Sequence, residues 1–317
     1  MKLSEIRKMS QQFHFPPDSD AQLRFLEQAN AMGLDYSNFY QKLEMDSPYV
    51  DTHTDVTYSN TQLQMHSHTF YELICCRNTC GAEYLVGAQR YKLQHGDIVL
   101  VPPDVSHRPI LPEHMPEPYI RDVLWLSPEF INRLMDMFPD FTADLQTHSL
   151  LRTSGTRWEY LEELFHNGVR EAEATAPGHE MAIMANSVTL LTHLLRARKD
   201  INAKPLHAEK PELLDQVLRY IEQHLSDKIT LADVAHHFFI SESTITQTFR
   251  KKMGVSFYRC VTQRRLIAAK ALIERGLSLE SVSEQVGFSD YSSFFRAFKQ
   301  EFGISPRQYR KMQTENK

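Results

Sequence analysis

One pattern is written twice near the C-terminus of this chain, and a doubling of this kind leaves few folds open. The first copy reads Thr230-Leu231-Ala232-Asp233-Val234-Ala235-His236-His237-Phe238-Phe239-Ile240-Ser241. The second, 48 residues later, reads Ser278-Leu279-Glu280-Ser281-Val282-Ser283-Glu284-Gln285-Val286-Gly287-Phe288-Ser289. Each opens on a hydroxyl residue suited to an N-cap, and Leu231, Val234 and Phe238, like Leu279, Val282 and Val286, recur at helical spacing. Phe239-Ile240 and Gly287-Phe288 mark turns, after which Ser241 and Ser289 are expected to cap a second helix. Ile245 with Phe249, and Phe294 with Phe298, are the apolar anchors of those second helices. One extra residue in the second copy moves the offset to 49, so that Arg250 matches Lys299 and Gly254 matches Gly303. Two helix-turn-helix units are therefore predicted.

Between them runs Phe257 to Arg275, rich in strong helix formers and stopped by Gly276. A helix of about 18 residues is roughly 27 Å long, comparable with the roughly 34 Å between successive major-groove openings on one face of B-DNA. Two recognition helices carried by one polypeptide can thus enter adjacent major grooves.

With these residues in place, the last hundred or so positions resemble the AraC family of bacterial transcription regulators, whose DNA-binding domain is two such units joined by a long helix. The resemblance is strongest from Gly287-Phe288-Ser289-Asp290-Tyr291 through Phe294-Phe295-Arg296-Ala297-Phe298 to Gly303-Ile304-Ser305-Pro306-Arg307. It also takes in Arg265-Leu266, Ala269 and Leu272, while Cys260 departs from the usual Tyr. It implies base-facing positions at Ser243, Thr246 and Gln247 in the first unit, and at Tyr291, Ser292, Phe295 and Arg296 in the second. Gln and Arg bond adenine and guanine edges in bidentate fashion, which suits that role. Arg250, Lys251, Lys252 and Lys299 are the expected phosphate contacts. The resemblance further implies double-stranded DNA as partner, contact with RNA polymerase and a homodimer, while the lack of a signal-peptide core or membrane span in the sequence leads to the expectation of a cytoplasmic location.

Charge agrees once the chain is divided. From Pro211 onward 16 Lys and Arg face 12 Asp and Glu, a balance of +4, whereas the preceding residues carry −9 of the total −5. The excess is small, so specificity has to come from base contacts rather than from bulk attraction to phosphate. Met1 to Arg7 has no apolar core of a signal peptide, and no segment approaches a membrane span. Cys75, Cys76 and Cys80 crowd one apparent strand and Cys260 lies in the spacer; their spacing matches no zinc pattern, so reduced, partly buried thiols are expected.

The N-terminal half changes period. Residues 18–46 read as helical, and from about Asp51 to Leu126 short β-branched and aromatic runs alternate with polar residues, predicting a small β-barrel. Helical patterning returns at Pro128 to Phe138, Trp158 to Arg170 and Met181 to Arg198, the last with a broad apolar face that packs on the barrel or on a twin in a dimer. Inside the predicted barrel, His66-Ser67-His68 with Glu72, and Gly96-Asp97 through Pro103-Asp104 to His107, resemble the two cupin motifs. His66, His68 and Glu72 share parity on a strand, so they project to one face. They are expected, with His107, to hydrogen-bond a polar ligand or one another, with no resident metal or other cofactor. Glu83, Tyr84, Arg90 and Tyr91 are further candidates on neighbouring strands.

The expected fold class is α+β: a cupin-like β-barrel with flanking helices, then an all-α domain of two helix-turn-helix units joined by a long helix. The expected divisions are 1–50 (helical arm), 51–126 (ligand-sensing barrel), 127–199 (helical segment, a candidate for dimerisation), 200–210 (linker) and 211–317 (DNA-binding domain). The expected function is a non-enzymatic, sequence-specific transcription regulator responsive to a small metabolite such as a sugar. The alternative is a metal-dependent cupin enzyme fused to a DNA-binding domain.

Overall fold

The computed structural model describes residues 43–315 except 58–64, 113, 116, 139–144, 146, 148, 175 and 203–211. Most of the helical arm and residues 203–210 of the expected linker therefore lie outside the described residues. Eight strands come first: β1 (Val50–Thr57), β2 (Tyr71–Cys76), β3 (Glu83–Val86), β4 (Gln89–Lys92), β5 (Asp97–Val101), β6 (His107–Ile110), β7 (Tyr119–Leu126) and β8 (Ser149–Arg152). They form a five-stranded sheet in the order β1-β7-β2-β5-β8 and a three-stranded sheet in the order β4-β3-β6. All the ladders are antiparallel.

The mixed α+β class is as expected, but among the described residues the strands make two facing sheets rather than one closed barrel. The reason is visible at β5, whose second edge is taken by β8. That strand lies within the segment 127–199, between two of its expected helices, where no strand was expected. The two sheets consequently meet through side chains. Strand β2 is buried throughout: Tyr71, Leu73 and Cys75 point to an outer helical layer, while Ile74 and Cys76 point between the sheets.

The outer layer is α1 (Pro128–Met137), α2 (Leu161–Ala174) and α3 (His179–Asn202). Ser127 caps α1 by accepting from Phe130 N, with Pro128 opening the helix. The apolar face of α3, through Ile183, Leu190, Leu191 and Leu194, packs into the same core as Leu73 and Leu124. That face is thus occupied within the chain.

The C-terminal part contains α4 (Leu213–Gln223), α5 (Leu231–His237), α6 (Glu242–Met253), α7 (Phe257–Glu274), α8 (Leu279–Gln285), α9 (Tyr291–Phe302) and α10 (Pro306–Glu315). Thr230 and Ser278 cap α5 and α8 as expected. Ser241 caps α6, but the cap of α9 is Asp290, which accepts from Ser293 N at 2.7 Å, rather than Ser289. The extra residue of the second copy falls in the turn, so the two caps are 49 apart, like everything after them. Inside each unit the second helix directs matched residues inward: Ile245, Phe249 and Met253 in α6, and Phe294, Phe298 and Phe302 in α9.

The turns differ in one respect. Gly287 adopts φ 81°, where glycine is free of the Cβ penalty, whereas its counterpart Phe239 sits at φ 54° and is 92% exposed. Exchanging Phe239 for Gly removes left-handed strain of roughly 1–2 kcal/mol, partly offset by about 0.5–1 kcal/mol of added backbone entropy. With almost no packing to lose, the variant is expected to melt slightly higher than wild type in a thermal scan.

All four cysteines are free and buried. Burial pushes Cys76 and Cys260 up to about 12, so the reactive thiolate form is scarce at neutral pH.

Candidate functional site

The two helix-turn-helix units present a matched outer stripe. On α6, Ser243, Gln247, Arg250 and Lys251 are exposed and Thr246 is partly so; on α9, Ser292, Arg296 and Lys299 are exposed, with Tyr291 and Phe295 half-buried. The stripe follows from the packing of the opposite face. With Ile245 and Phe249 turned inward, helical geometry turns Gln247 and Arg250 outward, and the same holds for Arg296 and Lys299 around Phe294 and Phe298. Some polar groups on it are engaged locally: Thr246 Oγ1 donates to Glu242 O at 2.9 Å, and Ser243 Oγ lies 2.7 Å from Ser241 Oγ. The expected phosphate contact Lys252 is instead paired with Glu212. The spacer between the stripes is α7, 18 residues long and capped by Ser256.

A second polar cluster lies between the two sheets. His68 and His107 have side chains with no exposure, and Glu72 nearly none. Glu72 Oε2 lies 3.4 Å from His68 Nε2 and 3.1 Å from His107 Nε2. Its other oxygen, Oε1, accepts from the Trp125 indole at 2.8 Å. Burial disfavours the charged form of the carboxyl, but the adjacent His107 and His68 outweigh this and hold Glu72 well below the usual range. Burial lowers His68 from its ordinary value, against the opposing pull of Glu72.

Three of the four expected residues therefore converge. His66 stands alongside, its ring centroid 4.2 Å from that of His107, while its backbone pairs with His107 in both directions. Of the further candidates, Tyr84 faces this interior, stacked 6.3 Å from His107. Glu83 and Arg90 point elsewhere and pair with each other. The sequence reading did not single out Trp125, nor the neighbouring group on β1 and β7, in which Arg121 donates to Asp55 Oδ2 at 2.7 Å and to Thr57 Oγ1 at 2.9 Å. Parity along β7 is the signal that was available: Tyr119, Arg121, Val123 and Trp125 alternate with residues of the helical-layer core.

The outer face of the small sheet rests on the helix-turn-helix part. Leu85 and Ile110 join one buried cluster with Leu214, Val217, Phe249 and Val261. Around it, Arg90 pairs with Asp215 at 3.0 Å and Glu212 at 2.8 Å, and Arg264 donates to Gly87 O at 2.8 Å. Arg108, 3% exposed, donates to Met253 O at 2.8 Å. That carbonyl closes α6 and has no partner within its own helix, so a cation there meets both an orphan acceptor and the negative end of the dipole.

Asp104 faces the same junction. Burial, reinforced by Glu274 and partly opposed by Lys270 and Arg275, raises it to about 6. Because its folded value exceeds the ordinary 3.8, stability contributed through this group falls as pH rises from about 4 to about 6 and is level above that. Asp104→Asn is expected to melt a few degrees above wild type at pH 7, and the pH-dependent part of that gain disappears near pH 4, as read from parallel melting curves.

These two sites can be set beside known proteins. The Helix-turn-helix domain family matches residues 234–312. The regulatory protein PocR of Salmonella typhimurium is 35% identical over 104 residues, 32% of this chain and 34% of PocR. The HTH-type transcriptional activator RhaS of Salmonella arizonae is 25% identical over 249 residues, 77% of this chain and 86% of RhaS. Residues 234–312 are thus a helix-turn-helix domain of the AraC type. Its AraC-type domain is also similar to the C-terminal domain of AraT, a response regulator from Geobacillus stearothermophilus, at 31% identity over 30% of this chain and 79% of that one, with a TM-score of 0.29. The chain spans only about a third of PocR's length, against most of RhaS. Among the described residues, no helix is long and apolar enough to cross a membrane.

Proposed function

We propose that this chain is a sequence-specific transcription regulator that places α6 and α9 in successive major grooves of double-stranded DNA and adjusts that placement to a small polar effector held between its two sheets. The observation that carries the DNA reading is the matched outer stripe, in which Gln247 and Arg296 occupy equivalent positions 49 residues apart on two helices joined by α7. Ser243, Thr246, Tyr291, Ser292 and Phe295 complete the base-facing surface, and Arg250, Lys251 and Lys299 serve the phosphates.

The effector reading rests on β6. His107 at its start faces the buried cluster, and the next residue, Arg108, holds the end of the recognition helix α6. An effector that prefers one position of His107 thereby prefers one arrangement of the junction, and it acts only through that difference in affinity. A hydroxyl-rich metabolite such as a sugar suits His66, His68, Glu72 and His107. Likeness to an activator such as RhaS favours contact with RNA polymerase by a homodimer.

In vitro selection of DNA by the full chain at fixed salt tests the central claim. Recovery of two sequence elements about one helical turn apart supports it. Recovery of salt-sensitive but sequence-independent binding alone overturns it.

A further inference from the structure

The two recognition helices carry side chains of opposite charge at matched positions. Lys252 lies in the last turn of α6, and 49 residues on, Glu301 lies in the last turn of α9. Each ties its helix back to the start of the helix that precedes its unit. Lys252 pairs with Glu212, the N-cap residue of α4. Glu301 pairs with Arg259, in the first turn of α7, at 2.5 Å. The polarity is exchanged, but the place of the tie in the unit is the same. Such a tie sets direction as well as position. Glu301 shares the inward face of α9 with Phe298 and Phe302, so holding it decides where Arg296 points on the opposite face.

The ties differ in what else touches them. The Glu301 side chain is 3% exposed, and its other oxygen accepts from Gln263, one turn further along α7, at 3.1 Å. A buried carboxylate left unpaired is costly, so α9 settles where these contacts to α7 close. The first tie is shared with the sheets. Glu212 is 42% exposed, and Arg90 of β4 reaches it at 2.8 Å while pairing with Asp215 at 3.0 Å and Glu83 at 2.6 Å. Asp215 completes the capping box with Glu212, so one guanidinium grips both side chains that begin α4. Lys252 first, and Arg90 next, hold the Glu212 carboxyl down to about 2, which keeps it ionised at neutral pH. Arg108 of β6 meets the neighbouring Met253 O, so a second arginine of the small sheet bears on the same last turn of α6.

We propose that Lys252 and Glu301 are positioning residues that aim α6 and α9 at their base pairs, and that of the two ties the sheets hold the first, through Arg90. Control of DNA reading by the sheets then falls on α6, while α9 keeps a constant aim. This deepens the proposed function and rests on its reading that both helices enter major grooves.

The test uses the full chain and the two-element operator recovered by selection, with each element scrambled in turn. The affinity lost on scrambling measures how closely that element is read. Single Gln247→Ala and Arg296→Ala variants assign the elements, each reducing the loss at its own element by about 5-fold or more, as expected for a bidentate contact. Glu301→Gln, which still accepts from Gln263, is expected to reduce the loss at the α9 element by about threefold to tenfold and to leave the α6 element within about twofold. Lys252→Gln gives the converse. Arg90→Lys keeps a cation beside Glu83 but lacks the fork that spans Glu212 and Asp215, and it is expected to follow Lys252→Gln. Variants that weaken both elements alike, in step with a lower melting temperature, mark a merely structural part and overturn the proposal, as does a variant that changes neither element. An Arg90→Lys protein that changes at the α9 element overturns the division between the helices. Wild type indifferent to scrambling of either element overturns the DNA reading and the proposal together, and this is seen before any tie is altered.

Discussion

Replacing Gln247 and Arg296 together by alanine is expected to abolish operator binding while leaving the melting temperature nearly unchanged. Both side chains are exposed, and the Arg296 guanidinium meets Ser293 Oγ only at 3.5 Å, so the folded protein loses little. On DNA the loss is large. A bidentate base contact discriminates by about 1–3 kcal/mol, and two of them by about 2–6 kcal/mol, which is a fall of roughly 30-fold to 10⁴-fold. The measurement is a mobility-shift titration on the selected operator, with circular dichroism of both proteins alongside. Lys299→Ala provides the contrast, weakening all sequences alike and reducing the salt slope by about one. Operator affinity unchanged in the double variant would remove α6 and α9 from the reading surface.

Gly287→Ala is expected to be the most damaging single change in the turn regions. A methyl group there would stand 2.2 Å from Leu225 O and 2.8 Å from Arg265 Nη2, on a backbone already at φ 81°. Arg265 cannot retreat cheaply, since it donates to Leu225 O at 3.0 Å and to Asp227 O at 2.6 Å. Overpacking and left-handed strain together cost about 2–5 kcal/mol. The clash joins the turn of the second unit to the loop after α4, so it also displaces one recognition helix from the other. Loss of cooperative denaturant stability together with loss of binding to paired sites is the expected result. A variant as stable as wild type would mean that this close approach does not fix the two units.

The helical half was legible because its signals are local. Caps, apolar spacing and the one-residue change of offset all lie within a dozen residues of what they determine, although Asp290 rather than Ser289 took the cap. The strands were less so. Alternation indicated β structure, but whether the sheet closes depends on which strand occupies the edge of β5, and β8 comes from 48 residues beyond Val101. Parity on β2 and the distant His107 were enough to nominate His68, Glu72 and His107, which the fold brings together, while Trp125 was not nominated. The contacts that orient these imidazoles were not legible, because Phe70 O and Val105 O come within reach of His68 and His107 only once the loops are folded. Nor did anything in the sequence assign Arg90 and Arg264 to a junction whose partners lie more than a hundred residues away.

At that junction, two of the buried arginines end on main-chain oxygens: Arg108 on Met253 O and Arg264 on Gly87 O. A peptide oxygen is supplied by every amino acid, so these two contacts tolerate exchange of the side chains that flank them. The outward residues of α6 are thereby free to drift toward a new operator, and the inward residues of the sheets toward a new chemical signal, without renegotiating how the halves meet. Descendants of such a chain can change what they read and what they answer to as separate steps.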